Sequence, residues 1–132
     1  MATGIELTEA GRSHPMMAGR RDGFAVPCTH RDEVVRLPEG AVRLAGNSHS
    51  EVQAFAIDRD GIDFWGMQYH PEFSPSYVGR YLGDMHRVPP QVADDLMLAE
   101  RDDAAALRLS TSLADQGDAV RMLELRNWMA RL

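Results

Sequence analysis

The feature that most constrains this chain of 132 residues is an apolar run that ends in the tripeptide His70-Pro71-Glu72. Proline disfavours the α conformation for the residue before it, so we expect His70 to be extended at the end of a strand. Residues two apart on an extended backbone project to the same side, which makes His70 and Glu72 neighbours. A carboxylate beside an imidazole fixes the tautomer of the ring and supports its protonated form. The tripeptide therefore predicts the base and the orienting group of a nucleophilic triad, with the nucleophile supplied from elsewhere.

The strand that carries this tripeptide is predicted to be the second strand of a β-hairpin. The side chains of residues 52–57 alternate between the two faces of a predicted strand, with the even-numbered residues on one face and the odd-numbered residues on the other. The turn at residues 58–61 contains the Asp-Gly pair favoured in hairpins. The chain then returns as a strand over residues 62–69. Shorter strands are predicted over residues 5–8, 24–26, 34–37 and 42–45, a turn over 38–40, and a loop over 9–23.

Helices are predicted after the tripeptide. Ser74 is a good N-cap and Pro75 a good first helical residue, and apolar side chains follow at helical spacing up to Met85. The sequence Val88-Pro89-Pro90 ends this helix and begins a second one, which is predicted to run to about Ser110. A third helix is predicted after Gly117. Strands followed by helices indicate an α/β or α+β fold.

Composition limits the kinds of partner that this chain can have. The net charge of −6 and the pI of about 5.3 argue against a nucleic-acid or anionic-membrane surface. No apolar run approaches the ~18 residues of a membrane span, and the first six residues lack the regions of a signal peptide. The single cysteine, Cys28, cannot form an internal disulfide, which is consistent with a reducing compartment. We expect a cytoplasmic protein without a metal or cofactor.

Five blocks of the sequence, taken in order, resemble class I glutamine amidotransferases. Residues 66–73 resemble the G-[VM]-Q-[FY]-H-P-E segment of that family, and the other blocks resemble its H-x-D-x-V, LP-x-G, LA and VQAF segments (residues 30–34, 37–40, 44–45 and 52–55). Residues 7–15 are similar to the segment just upstream. The resemblance runs from about Ile5 to Leu82 and is closest to free-standing, GMP-synthase-like members. It implies an α/β fold: the C-terminal half of a flavodoxin-like, doubly wound sheet with a β-hairpin, followed by C-terminal helices.

The resemblance also implies a reaction and its residues. In this family a cysteine thiolate attacks the side-chain amide of glutamine, ammonia leaves, and the glutamyl thioester is hydrolysed. His70 would be the general acid and base, and Glu72 its orienting group. His30, Asp32 and Gln68 would be candidates for the substrate pocket. The implied partners are glutamine and a synthase that accepts the ammonia.

The nucleophile is the part of the family's active site that we do not find. The family's cysteine lies in a G-x-C-x-G turn upstream of all the blocks above, so we expect this chain to lack it and to be inactive alone. Cys28 is a candidate for a displaced nucleophile, although a packed small side chain after Pro27 is the simpler interpretation. Together with His30, His49 and His70 it fits no zinc spacing.

These observations give a domain division and leave two alternatives open. Residues 1–87 would be the C-terminal part of the amidotransferase domain, and residues 88–132 a helical extension that packs on it or on a partner. Because half a sheet exposes edges and an apolar face, we expect a homodimer or an exchange of elements. The chain could instead be a non-catalytic interaction module derived from this fold. It could also be an acyltransferase or γ-glutamyl hydrolase on the same scaffold.

Overall fold

A computed structural model describes residues 1–132, with five strands and seven α-helices. The strands are β1 (Ala2–Leu7), β2 (Phe24–Val26), β3 (Ala41–Gly46), β4 (Ala54–Arg59) and β5 (Ile62–Met67). The helices are α1 (Glu9–Ser13), α2 (Pro75–Asp84), α3 (Pro90–Leu98), α4 (Asp103–Arg108), α5 (Leu113–Gln116), α6 (Asp118–Arg121) and α7 (Leu123–Met129), and a 3₁₀ turn spans Pro15–Met17. None of the helices has the length and apolar character that crossing a membrane requires.

The five strands form one sheet in the order β2-β1-β3-β4-β5, and all neighbouring strands are antiparallel. The predicted hairpin is confirmed as β4 and β5, but β5 ends at Met67 and not at residue 69, so His70 lies in a turn after the strand and not at its end. The hairpin's turn residues Asp60 and Gly61 have φ of 54° and 80°, the left-handed conformation that a type I′ turn needs at both positions. The predicted α/β fold class, with a β-hairpin followed by C-terminal helices, is also confirmed.

The main core lies on one face of this sheet. It combines Ile5, Leu44, Ala54 and Met16, none of which exposes any surface, with Tyr69 from the segment after β5. The predicted loop at residues 9–23 is wrong in part, because this segment forms α1 and the 3₁₀ turn that carries Met16 into the core. Two local caps explain it: Thr8 Oγ1 accepts from Gly11 N (2.9 Å), and His14 Nδ1 accepts from Met16 N (3.1 Å).

Three other predictions need correction. Residues 34–37 pair with no strand, and Val34 N donates to the Gln68 side chain instead (2.8 Å). The second predicted helix is broken into α3 and α4, because Asp102 accepts from Ala105 N (2.9 Å) and starts a new helix there. The third is divided into α6 and α7, and α5 precedes them because Ser112 caps it.

A buried polar network joins the C-terminal helices to the rest of the chain. Arg20 donates to both carboxylate oxygens of Glu124 at 2.7 Å, and Tyr69 Oη donates to Glu124 Oε1 at 2.8 Å. The side chains of Arg20 and Glu124 are 1% and 0% exposed. Arg20 also donates to the carbonyl of Arg121 (2.7 Å). Charged hydrogen bonds of this kind offset the cost of removing both ions from water.

We expect Gly11→Ala to destabilise the fold although alanine is the better helix former. A Cβ at Gly11 would lie 2.0 Å from the carbonyl oxygen of Leu44, so α1 could not pack on β3 without a backbone shift. Overpacking of this kind costs about 3 kcal/mol, more than the ~1 kcal/mol gained in helix propensity. The melting temperature in thermal unfolding measures the net loss of stability. The matched control is Gly117→Ala, where the nearest atoms are 3.8 Å away and φ is −63°. Unchanged melting of Gly11→Ala would contradict this packing.

A second prediction concerns Tyr69 and pH. Burial, followed by the charge of Glu124 and its hydrogen bond, raises the pKa of Tyr69 well above its usual value. The folded chain therefore keeps a proton that the unfolded chain loses above about pH 10. The contribution of Tyr69 to the free energy of unfolding is complete below pH 10 and declines above it. At pH 10.5 the decline due to Tyr69 is about 0.8 kcal/mol.

The variant Tyr69→Phe separates the stabilising effect of the hydroxyl's hydrogen bond from the effect of its titration. At neutral pH we expect it to lose about 1.5–3 kcal/mol, because Glu124 loses a hydrogen-bond donor. Between pH 7 and 10.5 its unfolding free energy should fall less than that of the wild type, as measured by urea unfolding. Tyr77→Phe, at an exposed ring, should change stability by no more than about 0.5 kcal/mol. An equal pH-dependent decline in wild type and Tyr69→Phe would show that the hydroxyl is not held as described.

Candidate functional site

His70 and Glu72 lie in the turn between β5 and α2, and their side chains are in contact. His70 Nδ1 is 2.8 Å from Glu72 Oε1, and the two side chains are 35% and 43% exposed. Because a carboxylate only accepts, Nδ1 carries the proton of the neutral ring and Nε2 keeps its lone pair. The predicted contact between the two side chains is therefore present, although a turn and not an extended strand brings them together, and their catalytic roles stay a prediction.

Local backbone contacts shape this turn. His70 N donates to the carbonyl of Pro27 (2.8 Å), and Phe73 N donates to the carbonyl of His70 (3.2 Å). The imidazole stacks on the Phe73 ring, with 5.1 Å between centroids and 25° between planes. Ser74 then accepts from Tyr77 N (3.1 Å) and starts α2, as predicted. The ring is therefore held on one side and open to solvent on the other.

Gln68 fixes the loop that carries His30 and Asp32. Its Oε1 accepts from Val34 N (2.8 Å), and its Nε2 donates to the carbonyl of Asp32 (3.1 Å). Both ends of this side chain are thus occupied by loop backbone. The loop lies beside the end of β5, with the His30 and Asp32 side chains exposed.

A cavity of about 830 Å³ lies on this side of the molecule. His30 and Asp32 line it together with Cys28, while His70, Glu72 and Gln68 do not. The candidate residues therefore form two groups, the His70–Glu72 pair and the cavity-lining loop, with Gln68 joining the loop to β5. The structure contains no group of three or more His, Cys, Asp or Glu side chains arranged to hold a metal ion.

Cys28 is placed as a packed thiol. Its Sγ is half-buried and donates to the carbonyl of Gln68 (3.6 Å). Burial raises the pKa of the Cys28 thiol, and the N-terminal amino group opposes this shift only in part. A nucleophilic cysteine needs a depressed pKa and a base in contact with sulfur. Neither is present at Cys28.

Two polar residues near this site were not singled out from the sequence. Gln53 lines the cavity, is 1% exposed, and has no hydrogen-bond partner for its Oε1. Arg121 in α6 is buried and donates to the carbonyls of Pro71 and Phe73, the latter at 3.0 Å. The periodicity of α6 gives no sign of Arg121, because an arginine in a helical pattern is ordinarily assigned to the solvent-facing side.

Comparison with known proteins gives the family. The sequence profile of the family "Glutamine amidotransferase class-I" matches residues 4–84. A γ-glutamyl-L-1-hydroxyisopropylamide hydrolase from Pseudomonas is 52% identical over 73 residues, which are 55% of this chain and 24% of that protein. The matching subunit of the glutamine-hydrolysing GMP synthase from Methanoculleus marisnigri is 40% identical over 81 residues, 61% of this chain and 41% of the relative.

The matched part of this chain thus spans less than half the length of either relative. The profile nevertheless matches well over half of the chain, and it includes the turn with His70 and Glu72. The chain belongs to the class I glutamine amidotransferase family.

Proposed function

We propose that this chain supplies the general acid/base and its orienting group to a Cys-His-Glu glutaminase site. The observation that carries the proposal is the 2.8 Å contact between His70 Nδ1 and Glu72 Oε1 in a half-exposed turn. It leaves Nε2 without a hydrogen-bond partner in the structure and available to a reacting group. That division of the two ring nitrogens is what a base paired with a carboxylate requires.

In the proposed reaction, a cysteine thiolate attacks the amide carbon of glutamine. His70 Nε2 gives a proton to the departing nitrogen, which leaves as ammonia, and a glutamyl thioester forms. His70 then takes a proton from water as the water attacks the thioester, and glutamate leaves with release of the thiolate. Glu72 stabilises the imidazolium in both halves of the cycle without taking up its proton.

We propose that His30 and Asp32 border the glutamine pocket. Both line the cavity, and their side chains have no hydrogen-bond partner there. Gln68 would act differently, because its amide is already engaged by Val34 N and the Asp32 carbonyl. Its proposed role is to hold the loop in place.

The 132 residues alone are proposed to be inactive, with Cys28 not serving as the nucleophile. The raised pKa of Cys28 and its contact with the Gln68 carbonyl keep it in the unreactive thiol form. Activity that is present in the isolated chain and lost in Cys28→Ser would overturn this part of the proposal.

A second candidate substrate is an N-substituted γ-glutamyl amide, which would release an amine instead of ammonia. The relative from Pseudomonas that is 52% identical is a hydrolase of such a compound, whereas the relative from GMP synthase is 40% identical. The bond broken and the residues proposed here are the same for both substrates. With glutamine as the substrate, the ammonia would pass to a synthase partner.

The test joins these 132 residues to the part of the Methanoculleus marisnigri relative that this chain does not match, where the family resemblance implies the cysteine. We expect release of glutamate from glutamine or from a γ-glutamyl alkylamide, and the faster substrate identifies the leaving group. His70→Asn should lower the rate at least about 10³-fold, because both proton transfers lose their carrier.

The matched control is His86→Asn, since His86 is exposed at the end of α2 with φ of 53°, which asparagine tolerates. It should leave the rate unchanged. A full rate in His70→Asn would contradict the proposed role. A folded fusion that hydrolyses neither substrate would support the interaction-module alternative instead.

We also propose that the chain forms a homodimer through the outer face of the hairpin. Phe55, Ile57, Ile62 and Phe64 lie on this face, and β5 pairs with no strand on its outer side. Ile62 and Phe64 are 55% and 47% exposed. Apolar patches beside a free strand edge are commonly covered by another chain.

Sedimentation velocity at micromolar concentration should give a dimer for the wild type and a monomer for Phe64→Thr. Val35→Thr is the control, because Val35 is 88% exposed in the loop before β3 and is not one of the residues on the outer face of the hairpin, and it should leave the dimer intact. A monomeric wild type would contradict the proposal.

A further inference from the structure

The turn that holds His70 and Glu72 rests on helices outside the family-matched region, which ends at residue 84. Arg121 in α6 donates from Nη1 to the carbonyls of Pro71 and Phe73, the residues on either side of Glu72. Its side chain is 4% exposed, and Asp118 pairs with Nη2. One guanidinium therefore holds the Pro71–Glu72 and the Phe73–Ser74 peptide groups, which lie before and after Glu72 and Phe73.

The residue before His70 is anchored to the next helix. Tyr69 Oη donates to Glu124 of α7 (2.8 Å), and Glu124 is paired with Arg20. Tyr69 is 1% exposed, so its ring cannot move without opening the core. Residues 69–73 are thus anchored to α6 and α7 through Arg121 and Glu124, while the His70–Glu72 pair is partly exposed to solvent.

Apart from the stacking of the His70 imidazole on Phe73, no other side-chain contact holds the pair in place. The structure gives each of the two side chains one hydrogen bond, the one that they share, and both side chains are more than a third exposed. A half-exposed side-chain hydrogen bond of this kind is weak by itself, because water competes for both groups and each side chain loses rotamer freedom. Persistence of the contact therefore depends on the Phe73 ring and on the backbone that presents the two side chains.

We propose that Arg121 is a positioning residue for the His70–Glu72 pair. By holding the carbonyls of Pro71 and Phe73 it keeps Glu72 against Nδ1 of His70, and so it sets the tautomer of the ring. Its importance for catalysis rests on the proposed glutaminase function, whereas its effect on the tautomer does not. The α6 helix would then be part of the site although it lies outside the family match.

The test reads the tautomer directly. Long-range proton–nitrogen NMR spectra of the ¹⁵N-labelled chain at about pH 8, where an ordinary imidazole is neutral, distinguish a protonated Nδ1 from a protonated Nε2. We expect His70 of the wild type to be protonated at Nδ1. In Arg121→Gln the ratio of Nδ1-protonated to Nε2-protonated ring should fall about tenfold, because the charge-assisted hydrogen bond to Glu72 is lost. Glu72→Gln should lower the same ratio.

Arg121→Lys covers the case in which Arg121→Gln does not fold. Lysine keeps the charge and the apolar stem but cannot present the planar set of donors, so an intermediate ratio is expected. The control is Arg126→Gln, because Arg126 is exposed on α7 and makes one long hydrogen bond to the carbonyl of Ala119 (3.3 Å). It should leave the ratio at the wild-type value.

Folded Arg121→Gln or Arg121→Lys with the wild-type ratio would overturn the proposal. So would a Glu72→Gln ratio equal to that of the wild type, since the carboxylate would then not set the tautomer. An inactive fusion enzyme with the expected tautomer changes would refute the proposed function and leave the positioning role intact. An active fusion with no tautomer change in the Arg121 variants would support the proposed function and refute the positioning role of Arg121.

Discussion

The ion pair between Arg20 and Glu124 is the interaction on which the arrangement of this molecule depends. Both side chains are almost completely removed from water, and each ion alone would cost several kcal/mol to bury. Two hydrogen bonds at 2.7 Å between them, with further contacts to the Tyr69 hydroxyl and the Arg121 carbonyl, offset that cost. The guanidinium also lies 4.6 Å from the centre of the Phe24 ring, so it contacts β2, the edge strand of the sheet, as well.

This network makes the C-terminal helices part of the structure around the turn. Hydrogen bonds cross from them to backbone in the first 73 residues: Gln116 donates to the carbonyl of Ala25, Arg121 to those of Pro71 and Phe73, and Asn127 to that of Met16. The division at residue 88 follows the resemblance to the family, and it stays a prediction. These contacts support describing the chemistry of His70 with α6 and α7 included.

Local signals in the sequence account for much of the fold and for one part of the site. The Asp-Gly turn, the Ser74-Pro75 helix start and the His70–Glu72 contact each depend on residues a few positions apart, so they can be predicted from neighbours alone. The helix at Glu9–Ser13 does not follow from composition, which indicates a loop there, because the hydrogen bond from Gly11 N to the Thr8 side chain starts the helix. Arg121 and Glu124 could not be predicted, because their partners are 48 to 104 residues away and nothing in α6 or α7 specifies them.

Native-state hydrogen exchange measures most directly whether the turn and the C-terminal helices form one unit. If the Arg20–Glu124–Tyr69 network joins them, the amides of Gln68, Val78, Arg121 and Arg126 should open with the same free energy as the strands of the sheet, and with the same dependence on denaturant. Exchange of α6 and α7 at a lower opening free energy, with the turn and the sheet still protected, would contradict this account.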